Sequence, residues 1–135
     1  MSTPAEMVHH VSAILRRLQI EHHVGGSMAS SFHGLPRTTA DVDLVVRLAP
    51  EHLDALEREL RHDFYVSRVA MEEALQTRRS FNAISLSSPL KVDFFVLGDT
   101  PFDREEFARA GLAPLTAEQG APLVPIKSAE DLILR

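Results

Sequence analysis

A carboxylate stands in the middle of an apolar run. In LKVDFFVLG, residues 90–98, Asp93 is surrounded by Leu90, Val92, Phe94, Phe95, Val96 and Leu97. A short run of β-branched and aromatic residues reads as a central strand. A charge inside such a strand is costly unless it is paired or bound to a cation. Lys91, two residues back and therefore on the same face, offers one answer, an ion pair within the strand. A bound metal is the other.

A second segment favours the metal. In DVDLVVRL, residues 41–48, Asp41 and Asp43 open another buried strand. Their i, i+2 spacing puts both carboxylates on one face, at the rim of the sheet. Two carboxylates that close repel each other unless a cation lies between them. Solvated acids at a strand start are the simpler alternative. Oxygen-only ligands on rigid strands suit Mg²⁺ or Mn²⁺.

Upstream of these acids lies VGGS, residues 24–27. Gly25 and Gly26 let the backbone turn sharply and approach a ligand closely. A short helix is expected to begin at Ser27, and its first amides, backed by the helix dipole, make an anion site to which the serine hydroxyl adds a donor. A plain strand-to-helix turn with a serine cap explains the same residues. Three acids from two strands facing a phosphate-binding turn form a two-metal site for in-line displacement at phosphorus.

The rest of the chain supplies the frame. Met7, Val11, Ile14, Leu15 and Leu18 recur at helical spacing, so a helix is expected over residues 4–18, capped by Ser2 or Thr3. A strand over IEHHV follows. Leu53, Leu56 and Leu60 mark an amphipathic helix after Pro50. FYVSRV is expected to be a strand, AMEEALQTRR a helix, and SFNAISL a strand joined to LKVDFFVLG by the turn at Ser87–Pro89. DREEFARAG is expected to be a helix ended by Gly111, APLTAEQGAPLVP a hairpin with Gly120 at its tip, and SAEDLILR a helix capped by Ser128. That order implies an α/β (α+β) class: a mixed, mostly central β-sheet flanked by helices.

At 135 residues, one domain over 1–135 is expected. The last helix stops at Arg135 after barely two turns, which leaves room for a missing C-terminal helical part. No apolar run is long enough to span a membrane, and the N-terminus has no leader pattern. Cysteine is absent, which removes disulfides and thiolate chemistry and fits a cytoplasmic location. The net charge of −5 disfavours a dedicated nucleic-acid binder.

The combination resembles the nucleotidyltransferase superfamily of DNA polymerase beta: a Gly-Ser turn, about a dozen residues, Asp-x-Asp, then a third Asp on a later strand. The segment GGSMASSFHGLPRTTADVDLVV is especially similar to small bacterial nucleotidyltransferases of abortive-infection and toxin–antitoxin loci, where an Arg and a Thr often precede the first Asp, as Arg37 and Thr39 do here. The closing VPIKSAEDLILR is also similar. The resemblance implies that Gly25, Gly26 and Ser27, with Arg37 and Thr39, hold a nucleoside triphosphate such as ATP. Asp41 and Asp43 would bind the Mg²⁺ (or Mn²⁺) that carries its phosphates and share a second ion with Asp93, which helps deprotonate the acceptor hydroxyl. The acceptor could be a tRNA end, a protein side chain or a small molecule. A nucleotidyltransferase-fold antitoxin or binding module that neutralises a toxin partner is the alternative, and a ligand-free domain with a Lys91–Asp93 pair is a third.

Some residues invite over-reading. His9/His10 and His22/His23 are adjacent pairs that point in different directions, so structural or surface roles are expected rather than metal binding. His33 is expected to pack beside the proposed site. Arg78 and Arg79 read as solvated helix-end charges, Asp99 and Asp103 as turn and cap residues. Lys127 stands between a surface role and the nucleotide.

Overall fold

A computed structural model of the chain describes residues 3–25 and 41–97, together with the backbone of two further strands at 111–114 and 123–126. The first helix, α1 (Pro4–Arg17), begins where the sequence places it. Thr3 Oγ1 accepts the Glu6 amide at 3.1 Å, and Pro4 fills the first turn, where no amide is needed. Its apolar stripe of Met7, Val8, Val11, Ile14 and Leu15 is buried.

Strand β1 (His22–Val24) runs antiparallel to β2 (Asp41–Arg47). A 3₁₀ turn at Pro50–His52 leads into α2 (Leu53–Leu60), which buries Leu53, Leu56 and Leu60 as their spacing requires. The FYVSRV segment departs from expectation. Only β3 (Phe64–Tyr65) is extended, because the Ser67 hydroxyl accepts the Ala70 amide and starts α3 (Arg68–Thr77) three residues later. Helix α3 ends on Arg78 at φ 54°, a left-handed conformation uncommon outside glycine. Arg78 and Arg79 are exposed, as helix-end charges should be. Arg68 ties α3 to α2 through Asp54 at 2.7 Å and Glu57 at 3.1 Å.

Strands β4 (Ser80–Ser85) and β5 (Lys91–Leu97) pair antiparallel through the expected turn. β6 (Gly111–Pro114) and β7 (Leu123–Ile126) form the expected hairpin. Gly111 opens β6, and the helix expected before it in DREEFARAG lies outside the described residues. The seven strands stand in the order β3-β4-β5-β2-β1-β7-β6, with β2 parallel to β5 and β7 parallel to β1. The sheet is mixed, as expected, with β2 at its centre.

Burial alternates along β4 and β5 and over the first four residues of β2, beyond which Val45, on the face of Asp41 and Asp43, is buried too. Val42, Leu44, Val46, Val92, Phe94, Val96, Phe81 and Ala83 are buried in one core with the apolar stripes of the three helices. Each such side chain contributes about 1.5–3 kcal/mol of transfer free energy. Helices α1, α2 and α3 therefore cover one face. The other face carries Asp41, Asp43, Lys91 and Asp93, half-buried, and Ser80, Asn82, Ile84 and Phe95, exposed.

One histidine of each pair takes a structural place. His10 Nε2 meets Asp63 at 2.8 Å. His22 is buried, its Nδ1 2.9 Å from the Ile20 carbonyl and its Nε2 2.7 Å from Ser12 Oγ. A carbonyl only accepts, so Nδ1 carries the proton and Nε2 accepts from the serine. Burial lowers the His22 pKa, opposed by the Ile20 hydrogen bond. The unfolded chain thus takes a proton more readily than the folded one. His22 is expected to cost no stability above its ordinary value of 6.5 and to lose the protein stability progressively as pH falls below it. Urea midpoints measured from pH 8 to pH 5 should show this slope, and His22→Gln should flatten it.

Candidate active site

The site is built on the first residues of two neighbouring parallel strands. The register sets Asp41 beside Lys91 and Asp43 beside Asp93. Adjacent strands lie about 4.8 Å apart, so Asp43 and Asp93 are immediate cross-strand neighbours on the open face, with Asp41 one pleat away on the same face. Segments some 50 residues apart in sequence deliver these acids to one end of the sheet because β2 and β5 are both apolar enough to occupy its middle.

Electrostatics separate the acids. Burial raises the Asp93 pKa first; Lys91 opposes this, and Asp43 and Asp41 raise it further. The carboxyl is therefore held above the usual range mainly by desolvation, then by its acidic neighbours. The alternative of a Lys91–Asp93 ion pair is not the closest contact of the lysine, although Lys91 still acts on Asp93 through space. Lys91 Nζ lies 3.9 Å from Asp41 Oδ2, its cross-strand neighbour, and both side chains are about 40% exposed. Such a solvated pair is worth about 0–1 kcal/mol. Lys91 thus leaves Asp93 without a strong internal answer, which is the position of a carboxylate suited to a proton or a cation.

By their chemistry, oxygen-only donors suit a hard divalent cation. Among the described residues, no three acidic or histidine side chains stand gathered as a metal site. Strands and register bring the three aspartates together; their carboxylate ends are not drawn to one point, and Asp41 lies toward Lys91.

Gly25 has a specific reason to be glycine. Its amide donates to the Asp43 carbonyl at 2.8 Å, extending the β1–β2 pairing by one residue. A Cβ there would stand 3.3 Å from Asp43 Cβ and 3.3 Å from Val45 Cγ2. The absent side chain lets β1 pass tightly beside the acid. Gly25→Ala is expected to push Asp43 by a few tenths of an ångström and, in the transfer reaction proposed below, to lower the rate on the order of ten-fold, with little change in melting temperature. Steady-state kinetics beside a thermal melt check this.

Gly26, Ser27, Arg37 and Thr39, expected at the triphosphate, lie outside the described residues, as do His33, Asp99, Asp103, Gly120, Lys127 and Ser128 and the expected short helix at Ser27. A cavity of about 360 Å³ that includes Arg47, His52, Arg78 and Leu97 opens at the opposite end of β2 and β5. It lies about 20 Å along the strand from Asp41 and touches none of the acids. The chemistry of the side chains, rather than this hollow, locates the candidate site.

One contributor was not expected from sequence. Asn82 on β4 stands directly opposite Asp93. Its signal was present, a polar residue inside SFNAIS, but the antiparallel register was needed to bring it to the site.

No protein-family model matches the chain, and no curated protein matches it in sequence. Solved structures do match in shape. The crystal structure of ANT(2″)-Ia in complex with adenylyl-2″-tobramycin superimposes with a TM-score of 0.59 at 21% identity, over 96% of this chain and 71% of that one. The lincomycin-bound lincosamide antibiotic adenylyltransferase LnuA gives 0.57 at 10% identity, over 99% and 86%. An antigenic nucleotidyltransferase-like protein from Paracoccidioides brasiliensis gives 0.54 at 18% identity, over 96% and 62%. At these identities the likeness establishes a nucleotidyltransferase-like fold. No helix among the described residues is long and apolar enough to cross a membrane.

Proposed function

We propose that this chain moves a nucleoside monophosphate from a nucleoside triphosphate, such as ATP, to a hydroxyl acceptor and releases pyrophosphate. The observation that carries the reading is the register: Asp43 beside Asp93, with Asp41 on the same face, at the open end of the two middle strands. Of the structures named above, LnuA is an adenylyltransferase by name and ANT(2″)-Ia is in complex with adenylyl-2″-tobramycin, which supports this class of chemistry.

The acceptor oxygen attacks the α-phosphorus and forms the new O–P bond. The bond from that phosphorus to the bridging oxygen breaks, and pyrophosphate leaves with the electron pair. The hydroxyl proton passes toward the Asp93 carboxylate, which takes it as general base. Asp41 and Asp43 would hold Mg²⁺ or Mn²⁺ together with Asp93; when bound, such an ion supplies positive charge against the triphosphate. Gly25, with Gly26, Ser27, Arg37 and Thr39, would orient the phosphates. Most of the catalysis then consists of positioning and charge neutralisation.

Among the described residues nothing favours a tRNA end or a toxin–antitoxin partner, so neither enters the reaction written here. ATP, GTP, CTP and UTP labelled at the α-phosphate, incubated with the chain, Mg²⁺ and cell extract, test the proposal. Label transferred to an acceptor by the wild type and not by Asp41→Ala supports it. Failure of every triphosphate to leave label on any acceptor contradicts it.

A further inference from the structure

The strand order fixes the side from which an acceptor must approach, an inference that rests on the transfer reaction proposed above. In-line displacement puts the attacking and leaving oxygens on opposite sides of the phosphorus. The three acids lie on β5 and β2, with β1 and Gly25 on one flank and β4 and β3 on the other. The proposed phosphate turn begins at Gly25, so pyrophosphate departs over β1. The acceptor hydroxyl then arrives over β4 and β3.

The register names what it meets there. Asn82 stands opposite Asp93, Ile84 opposite Lys91, and Tyr65 opposite Ile84. Phe95 follows Asp93 by two residues on the same face. Tyr65 is 59% exposed, Ile84 43% and Phe95 42%. Large apolar side chains left open beside a cluster of acids mark a recognition surface rather than unfinished packing. Its charge is equally informative. The sequences of β3 (FY) and β4 (SFNAIS) contain no ionisable group except the tyrosine phenol. A polyanion such as RNA needs lysine or arginine against its phosphates, and a polycation needs carboxylates beyond those engaged in the reaction. β3 and β4 offer neither, and Lys91, opposite Ile84 on β5, is turned to Asp41.

We infer that the acceptor is an uncharged hydroxyl compound with an apolar or aromatic face. That face packs on Tyr65, Ile84 and Phe95, and Asn82 orients the hydroxyl toward Asp93. Asn82, Ile84 and Tyr65 are thus specificity-determining residues for the transfer.

Amide shifts of the ¹⁵N-labelled full chain, with Mg²⁺ and α,β-methylene-ATP, test this. Three probes are added separately: phenyl β-glucoside, spermine, and a short RNA with a free 3′-hydroxyl. Phenyl glucoside is expected to shift the amides of β3 and β4, and Ile84→Glu, at an exposed position that tolerates the change, is expected to weaken it at least about ten-fold with the nucleotide analogue binding as before. Spermine and RNA are expected to leave those amides in place. Glucoside shifts elsewhere, glucoside affinity unchanged in Ile84→Glu, or RNA or spermine shifting β3 and β4 overturns the inference while nucleotide binding stands. Failure of the analogue to bind with Mg²⁺ overturns the transfer reaction and the inference together.

Discussion

Asp43→Ala is expected to reduce nucleotidyl transfer on the order of 10³-fold and to leave the chain folded. The side chain is half-buried on the face opposite the described helices, and the hydrogen bond that holds the strand edge there uses the Asp43 main-chain carbonyl, which alanine keeps. Asp93→Asn sharpens the test. The folded state raises the Asp93 pKa above its ordinary 3.8. A carboxyl of that kind binds its proton more readily folded than unfolded, so its charge costs stability. The cost is absent below 3.8 and complete once the pH exceeds the raised value. Near neutral pH, Asp93→Asn should therefore lose transfer while its melting temperature holds or rises. A structural Lys–Asp ion pair predicts the reverse: asparagine would lower the melting temperature, and transfer, if present, would persist. Calorimetric melts beside pyrophosphate-release assays separate the two.

Phe94→Ala is expected to remove about 3–5 kcal/mol of folding stability. Phe94 is 0% exposed, and its ring stacks on Phe81 with centroids 4.8 Å apart and planes 11° from parallel. It lies in the helix-covered core, on the side of β5 opposite its neighbour Asp93. Truncation empties the space between β4, β5 and the helices, and the cavity term adds to the lost transfer energy. Domains of this size keep only about 5–15 kcal/mol in total, so the variant should unfold at much lower urea. A loss below about 1 kcal/mol would mean that the core does not close on this residue.

Asp93 and Phe94 lie on opposite faces of one strand, and the sequence showed both because alternation along a strand is local. Val92, Phe94 and Val96 against Lys91 and Asp93 can be read without knowing any partner. Helix α1 was legible for a similar reason, since its cap and apolar stripe are contained within its own turns. What the sequence hid depends on pairing. Lys91 at i−2 offers Asp93 an ion pair as one alternative, but a parallel register sets Asp41 against the lysine. Asn82 reaches the acids through an antiparallel register that no spacing in SFNAIS reveals. FYVSRV carries strand-forming residues throughout, yet one serine hydroxyl in capping position turned its second half into helix. The His22/His23 pair announced nothing beyond adjacency, because Ser12, which holds His22, comes from a separate helix. That α1, α2 and α3 all cover one face, leaving the acids open on the other, follows from how the strands connect rather than from any one of them.

The central claim is that Asp41, Asp43 and Asp93 act together on one cation at the end of β2 and β5. Paramagnetic broadening of amide resonances by substoichiometric Mn²⁺ measures this most directly, because the effect reports distance from the ion. The account predicts that the signals of Asp41, Asp43 and Asp93 and their strand neighbours vanish first, and that Asp43→Ala restores them. Broadening centred instead on the acids of α2 and α3 around Glu57 and Glu72, or unchanged by Asp43→Ala, would contradict it.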